Sequence, residues 1–169
     1  MRGFIAVPVP GATETSAAPA PEHLTLHFLG ELHPDLVPPL SERLGPAVGN
    51  RRAFDLTIEG VGAFPAPERP RIVWRGVGAG RNELAQLAGD VRQAVIAAGI
   101  PVDIAPFVPH VTLFRVRSPP DLARARALLD RRTPAPAPTQ ITVTEVDLVE
   151  SQLRPTGAEH RVLARFPLA

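Results

Sequence analysis

Two copies of a short motif carry side chains that suit acid–base chemistry on a phosphate group. HLTL begins at His23 and HVTL begins at His110, so each copy places a histidine two residues before a threonine, Thr25 or Thr112. Alternate residues of a β-strand share a face, so in a strand the imidazole and the hydroxyl lie side by side. A histidine pair can remove one proton and supply another near neutral pH, while the hydroxyls donate hydrogen bonds to phosphate oxygens.

The pairing of the motifs is more informative than either motif alone. A lone His-x-Thr is more often a half-buried histidine beside a hydroxyl than a catalytic group. With this composition, two copies of His-x-Thr-Leu among five histidines arise on the order of a few times in ten thousand sequences. The chain has no cysteine, and no carboxylate cluster accompanies the motifs. We therefore predict a reaction that needs no metal or other cofactor.

Strand and helix patterns alternate along the chain and must position the motifs. Period-two patterns predict strands over 2–8, 23–29, 54–61, 71–77, 110–116, 141–151 and 160–168. Helices are predicted over 34–48, 82–98 and from 119 onward, with 10–22 and 62–70 as loops and 133–139 as a stiff connector. Asn82 is the predicted cap of the helix over 82–98, and Gly99 is predicted to end that helix. Ser118 is the predicted cap of the helix that begins at 119. Trp74 is predicted to be a core residue.

The order of elements repeats roughly, with one His-x-Thr motif in each half. This repetition predicts an α+β fold of two similar lobes, each a sheet backed by helices, that face each other across a central cleft. The whole chain, 1–169, is predicted to form this single bilobal domain. By register His27 shares the face of His23 and Thr25, while Leu24, Leu26 and Phe28 lie on the buried face.

Composition narrows the possible partners. The chain is 44% hydrophobic and 21% charged, with a formal net charge of +1, which gives no indication of bulk nucleic-acid binding. The apolar run at the N-terminus is short and is broken by Pro8 and Pro10, so it predicts a first strand rather than a membrane span or signal peptide. We expect a monomeric cytoplasmic protein without a membrane partner.

The segments HLTLHFLG and PFVPHVTLFRV resemble the paired His-x-Thr motifs of the two-histidine (2H) phosphoesterase superfamily, in particular its LigT-like RNA 2′,3′-cyclic phosphodiesterases. MRGFIAVPVP, GAFPAPERPRIVW and ESQLRPTGAEHRVLARFPL extend the resemblance over almost the whole chain. The resemblance implies His23 and His110 as catalytic residues, Thr25 and Thr112 as phosphate ligands, and Arg115 as a basic residue near the cleft. A salt-bridged surface arginine is an equally weighted interpretation of Arg115.

The activity that the resemblance implies is metal-independent hydrolysis of RNA or nucleoside 2′,3′-cyclic phosphates to 2′-phosphates, with His110 as base and His23 as acid. Two alternatives stay open: cleavage or ligation of 2′–5′ phosphodiester bonds, and an RNA- or nucleotide-binding module without turnover. The family usually has a helix where residues 10–22 stand here, and often an aromatic residue where His160 stands. We interpret His160 as non-catalytic and His27 as a peripheral lining residue.

Overall fold

The computed structural model describes residues 1–12 and 23–169, and within them eight strands and three α-helices position the motifs. The strands are β1 Arg2–Pro8, β2 His23–Glu31, β3 Phe54–Ala66, β4 Arg69–Val77, β5 Val111–Arg115, β6 Thr139–Val143, β7 Glu145–Arg154 and β8 Gly157–Pro167. The helices are α1 Val37–Gly49, α2 Arg81–Ala97 and α3 Pro119–Leu129, with a 3-10 turn, Pro34–Leu36, before α1. The predicted absence of a helix over 10–22 falls mostly outside the described residues.

The strands form two four-stranded antiparallel sheets with matching layouts. The first sheet has the order β2-β1-β7-β8 and the second has the order β5-β4-β3-β6. The strands that carry the two motifs, β2 and β5, therefore lie at an edge of their respective sheets. These two edge strands also contact each other. The topology thus brings together two motifs that are separated by more than eighty residues of sequence.

One apolar core connects the two sheets. Helix α2 buries the predicted stripe Leu84, Leu87, Val91 and Val95, and α1 buries Leu40, Leu44 and Val48. These side chains belong to one cluster with residues from both sheets, Ile5, Val7 and Leu24 from the first and Leu56, Ile58 and Val111 from the second. Helix α1 packs on β8, α2 on β2, and α3 on β3 and β4. The predicted α+β fold with two sheet-and-helix lobes is confirmed. The assignment of 1–169 to a single domain stays a prediction, which the shared core supports.

A buried arginine ties the connecting segments to the second sheet. Arg75 on β4 is 3% exposed, and its guanidinium donates to the carbonyl oxygens of Ala12 at 3.2 Å, Ile58 at 3.0 Å and Ala137 at 2.8 Å. Burying a cation costs less when its donors have partners, and carbonyl oxygens from three segments supply these for both terminal nitrogens of the guanidinium. Arg75 therefore holds the segment after β1 and the connector before β6 against β4, which pairs with β5.

Three local predictions are corrected. Residues 62–66 continue β3 instead of forming a loop, because they pair with β4. Strand β6 pairs only with Phe54–Ile58, so the other edge is open at Pro65, which has no N–H to donate. The predicted strand 141–151 is two strands, since the chain passes from one sheet to the other at Thr144. Helix α2 has Gly80 as its N-cap and no side-chain cap, so Asn82 does not cap it.

The remaining helix-end predictions are confirmed. Ser118 accepts a hydrogen bond from the Asp121 amide at the start of α3. Gly99, with a φ of 80°, follows the end of α2 in the left-handed conformation. Among the described residues, no helix is both long and apolar enough to cross a membrane.

Candidate active site

The first motif begins at the start of edge strand β2. The His23 side chain is only 5% exposed and packs edge-on against the ring of Phe4 on β1, with ring centroids 5.8 Å apart. Strand pairing places His23 opposite Pro8 and Thr25 opposite Ala6. The imidazole and the hydroxyl of this motif therefore share one face of the sheet with Phe4 and Ala6, as predicted.

A β-bulge in β2 separates His27 from that face. Thr25 pairs with Ala6, but His27 pairs with Ile5, the neighbour of Ala6, so Leu26 is an extra residue in β2. Because adjacent residues of β1 point to opposite faces, the bulge turns His27 to the helix-covered side. The prediction that His27 shares the face of His23 is therefore wrong.

The same bulge brings Phe28 onto the motif face. Phe28 pairs with Phe4, lies 6.4 Å from it between ring centroids, and is 70% exposed, so the prediction of a buried Phe28 is also wrong. On the other side of the sheet, burial lowers the pKa of His27, the nearby Arg92 lowers it further, and Asp103 raises it. Arg92 lies on α2 and Asp103 lies in the segment that follows α2. Both charges are therefore on the helix-covered side, to which the strand pairing turns His27.

The second motif has a fixed imidazole orientation. Nδ1 of His110 donates to the carbonyl oxygen of Val108 at 2.8 Å, because a carbonyl can only accept. In the neutral ring the proton is then on Nδ1, and the lone pair is on Nε2. His110 therefore presents the nitrogen that a general base requires.

Two aromatic rings support His110. Phe64 packs edge-on at 4.9 Å with an interplanar angle of 89°, and Trp74 lies at 6.0 Å between ring centroids. Trp74 pairs with Thr112 across β4 and β5 and with Gly62 across β3 and β4, so its ring lies on the motif face of the second sheet. It is half-buried there and belongs to neither buried apolar cluster of the described residues, so the prediction of a core residue is wrong; Trp74 is instead a neighbour of the motif histidine.

A second β-bulge places Arg115 on the motif face. Thr112 pairs with Trp74 but Phe114 pairs with Val73, so Leu113 is the extra residue in β5. Arg115 then pairs with Ile72, which lies two residues from Trp74 and hence on the same face as it. Without the bulge, a residue three positions after Thr112 would point to the opposite face. Arg115 is exposed, and it forms no salt bridge with any residue that the structure describes.

Two side chains lie beside His23 that the motif pattern did not place there. Nε2 of His23 lies 4.0 Å from Oδ2 of Asp147 on β7, a carboxylate whose side chain is 2% exposed. The ring of His160 on β8 lies 5.8 Å from the ring of His23 and 5.0 Å from Phe4. The available signal for Asp147 was a charge inside the apolar run VDLV, which is uncommon in a strand that is buried.

Burial dominates the electrostatics of this cluster. Burial raises the pKa of Asp147. Arg165, whose Nε lies 3.5 Å from Oδ1 of Asp147, lowers this pKa, and Glu145 raises it. Burial also lowers the pKa of His160. Among residues 1–12 and 23–169, no group of three or more histidine, cysteine, aspartate or glutamate side chains is arranged to hold a metal ion.

Paired His-x-Thr motifs on contacting edges of two similar sheets define a two-histidine phosphoesterase fold, and comparison with known proteins agrees. Residues 12–154 match the 2′-5′ RNA ligase superfamily, and the chain belongs to this family. The resemblance carried by the two motifs is thereby confirmed.

Relatives with established names extend this result. A protein of Aeropyrum pernix named RNA 2′,3′-cyclic phosphodiesterase is 33% identical over 141 residues, which are 83% of this chain and 78% of that one. A protein of Archaeoglobus fulgidus with the same name is 34% identical over 145 residues, 85% of this chain and 78% of that one. The crystal structure of E. coli LigT complexed with 3′-AMP has a TM-score of 0.77 and 27% identity, and the match covers 99% of this chain and 98% of that one.

Proposed function

We propose that this protein is an RNA 2′,3′-cyclic phosphodiesterase that hydrolyses the cyclic phosphate of RNA ends or nucleosides to a 2′-phosphate. The observation that carries the proposal is the meeting of the two His-x-Thr motifs on contacting edge strands. The relatives named RNA 2′,3′-cyclic phosphodiesterase support the same reaction. They favour it over the two alternatives, cleavage or ligation of 2′–5′ bonds and binding without turnover.

The two histidines divide the proton transfers. His110 accepts a proton on Nε2 from a water molecule as the water oxygen attacks phosphorus, because its Nδ1 already donates to Val108. The bond between phosphorus and the 3′ oxygen breaks, and protonated His23 supplies a proton to that oxygen. One proton is thus taken up by the protein and one is released, and exchange with solvent restores the starting state.

The remaining motif residues bind the phosphate. The hydroxyls of Thr25 and Thr112 donate to the non-bridging oxygens, whose negative charge increases as water adds. Arg115, turned to the same face by the bulge in β5, contributes a positive charge beside them. The proposed steps use no metal ion, because the two histidines accept and supply every proton that is transferred.

The decisive experiment measures turnover of a nucleoside 2′,3′-cyclic phosphate in excess EDTA, with the product identified by ³¹P NMR. We expect full activity, formation of the 2′-phosphate, and losses of several orders of magnitude in His23→Ala and His110→Ala. The double variant should be little worse than the worse single variant, because the pair acts as a unit. Loss of activity in EDTA that zinc or magnesium restores would overturn the metal-independent mechanism.

A second substrate separates the alternatives. A 2′–5′-linked dinucleotide is incubated in parallel, and we expect it to be cleaved far more slowly than the cyclic phosphate. Faster cleavage of the dinucleotide would favour the 2′–5′ phosphodiester activity. Tight binding of both compounds without turnover would favour the binding module.

We further propose that the protein acts as a cytoplasmic monomer. Both motifs come from one chain, so a second copy is not needed to complete the site. Light scattering behind a sizing column should give a mass near 18.1 kDa. A dimer whose dissociation abolishes turnover would contradict this proposal.

A further inference from the structure

Asp147 is a buried carboxylate close to the first motif histidine. Its side chain is 2% exposed, and Oδ2 lies 4.0 Å from Nε2 of His23. This distance is too long for a hydrogen bond but short for two opposite charges. Oδ1 has no hydrogen-bond partner among the residues that the structure describes, and its ion pair is with the largely exposed side chain of Arg165, at 3.5 Å.

The sheet brings the two side chains together across β1. Asp147 on β7 and Thr25 on β2 both pair with Ala6, which lies between them. Ala6 is fully buried, and its methyl group leaves room above β1 for the imidazole of His23 and the carboxylate to approach. A longer side chain at position 6 would occupy that space.

We propose that Asp147 is a positioning residue that favours the protonated form of His23 and thereby assigns it the acid role in turnover. The inference rests on the proposed function and explains why two similar motifs perform different tasks. His110 donates from Nδ1 to a carbonyl and presents a lone pair, whereas His23 has a carboxylate beside Nε2. A negative charge at this distance stabilises the imidazolium, the form that an acid must hold.

Other ionisable groups surround this pair. From β8, Arg165 lies 3.5 Å from Oδ1 of Asp147, and the ring of His160 lies 5.8 Å from that of His23. From β7 itself, Glu145 acts on the carboxylate, whereas the paired residues of β1, Ala6 and Pro8, are not ionisable. Strand β5, which contacts β2, follows His110 and carries Arg115.

Arg165 has an effect opposite to that of Asp147. Its guanidinium shares the carboxylate with His23 and repels the imidazolium. Its side chain is 62% exposed, so it can be replaced without opening the core. At a pH where Asp147 is ionised, removing Asp147 should therefore disfavour protonated His23, and removing Arg165 should favour it.

The experiment measures the pH profile of kcat/KM for a nucleoside 2′,3′-cyclic phosphate in Asp147→Asn and Arg165→Gln. The alkaline limb, which reports loss of the acid's proton, should move to lower pH by about one unit in Asp147→Asn. At a pH above the limb this is a loss of about tenfold. In Arg165→Gln the same limb should move to higher pH. Glu150→Gln is the matched control, because Glu150 also lies on β7 but on the face opposite to that of Asp147. The alkaline limb of the Glu150→Gln variant should not move.

A second measurement is independent of turnover. The midpoint of the His23 ring titration is followed by NMR in the resting protein, with the signal assigned by its absence in His23→Gln. It should shift in the same directions as the kinetic limb. If the wild-type protein failed to turn over the substrate while the titration shifted as stated, the proposed function would be wrong and the role of Asp147 would stand. Unchanged titrations, or shifts of the same sign in both variants, would overturn the inference.

Discussion

Gly62 is the position at which a single methyl group should disturb the site most directly. A Cβ at this glycine would lie 2.4 Å from Cη2 and 2.5 Å from Cζ2 of Trp74, whereas ordinary contact begins at about 3.4 Å. The indole must therefore move by about 1 Å in Gly62→Ala. The ring is packed against Phe64 at 5.2 Å and His110 at 6.0 Å, so its movement is passed on to the motif histidine.

The expected losses of stability and of kcat in Gly62→Ala follow from overpacking in a rigid environment. An added methyl group in a filled site costs about 1–3 kcal/mol of unfolding free energy. For a chain of this length that lowers the Tm by about 2–12 °C. A displacement of the order of 1 Å at a catalytic group can reduce kcat by about 10²-fold, so we expect a loss between about tenfold and a hundredfold with the cyclic phosphate.

Matched variants test the explanation. Gly89 lies exposed on α2, and a Cβ added there would meet nothing within 4 Å, so Gly89→Ala should raise stability by about 1 kcal/mol and leave kcat unchanged. In Gly62→Ala with Trp74→Phe, the indole atoms that collide are absent, so the two substitutions should be strongly non-additive in stability. Thermal unfolding and initial rates provide the measurements. An undiminished kcat in Gly62→Ala, or additive stability losses in the double variant, would refute the reasoning.

The remaining predictions concern the motif hydroxyls, the half-buried His27 and the buried Asp147. Thr25→Ala and Thr112→Ala should each lower kcat by about 10²–10³, and replacement by serine should be milder; equal losses with serine and alanine would point to methyl packing instead. His27→Ala should keep kcat/KM within about tenfold, because the bulge turns His27 away from the motif face; a loss as large as that of His23→Ala would contradict the register. Burial raises the pKa of Asp147, so the folded state holds that proton more tightly and loses stability as the pH rises through the raised value. Thermal unfolding across pH should therefore show Asp147→Asn at least as stable as the wild type at pH 7, and a lower Tm there would show that the carboxylate stabilises the fold.

The resemblance on the motif residues and the strand periodicity predicted the reacting groups and much of the fold. Period-two alternation placed His23 with Thr25 and buried Leu24, because the side chains of a regular strand alternate whatever the strand pairs with. The stripe of α2 and the Ser118 cap were predicted for the same reason, since both depend on residues within a few positions of each other.

Only the tertiary structure decided what depends on strand partners. The bulges that move Phe28 and Arg115 onto the motif face arise in the pairing of β2 with β1 and of β5 with β4, and the alternation of a single strand does not record them. The crossing between sheets at Thr144 likewise leaves the period-two pattern intact. Asp147 lies beside His23 across the small side chain of Ala6. The two residues are 124 positions apart in the sequence, and they come together only because β1 pairs with both of their strands.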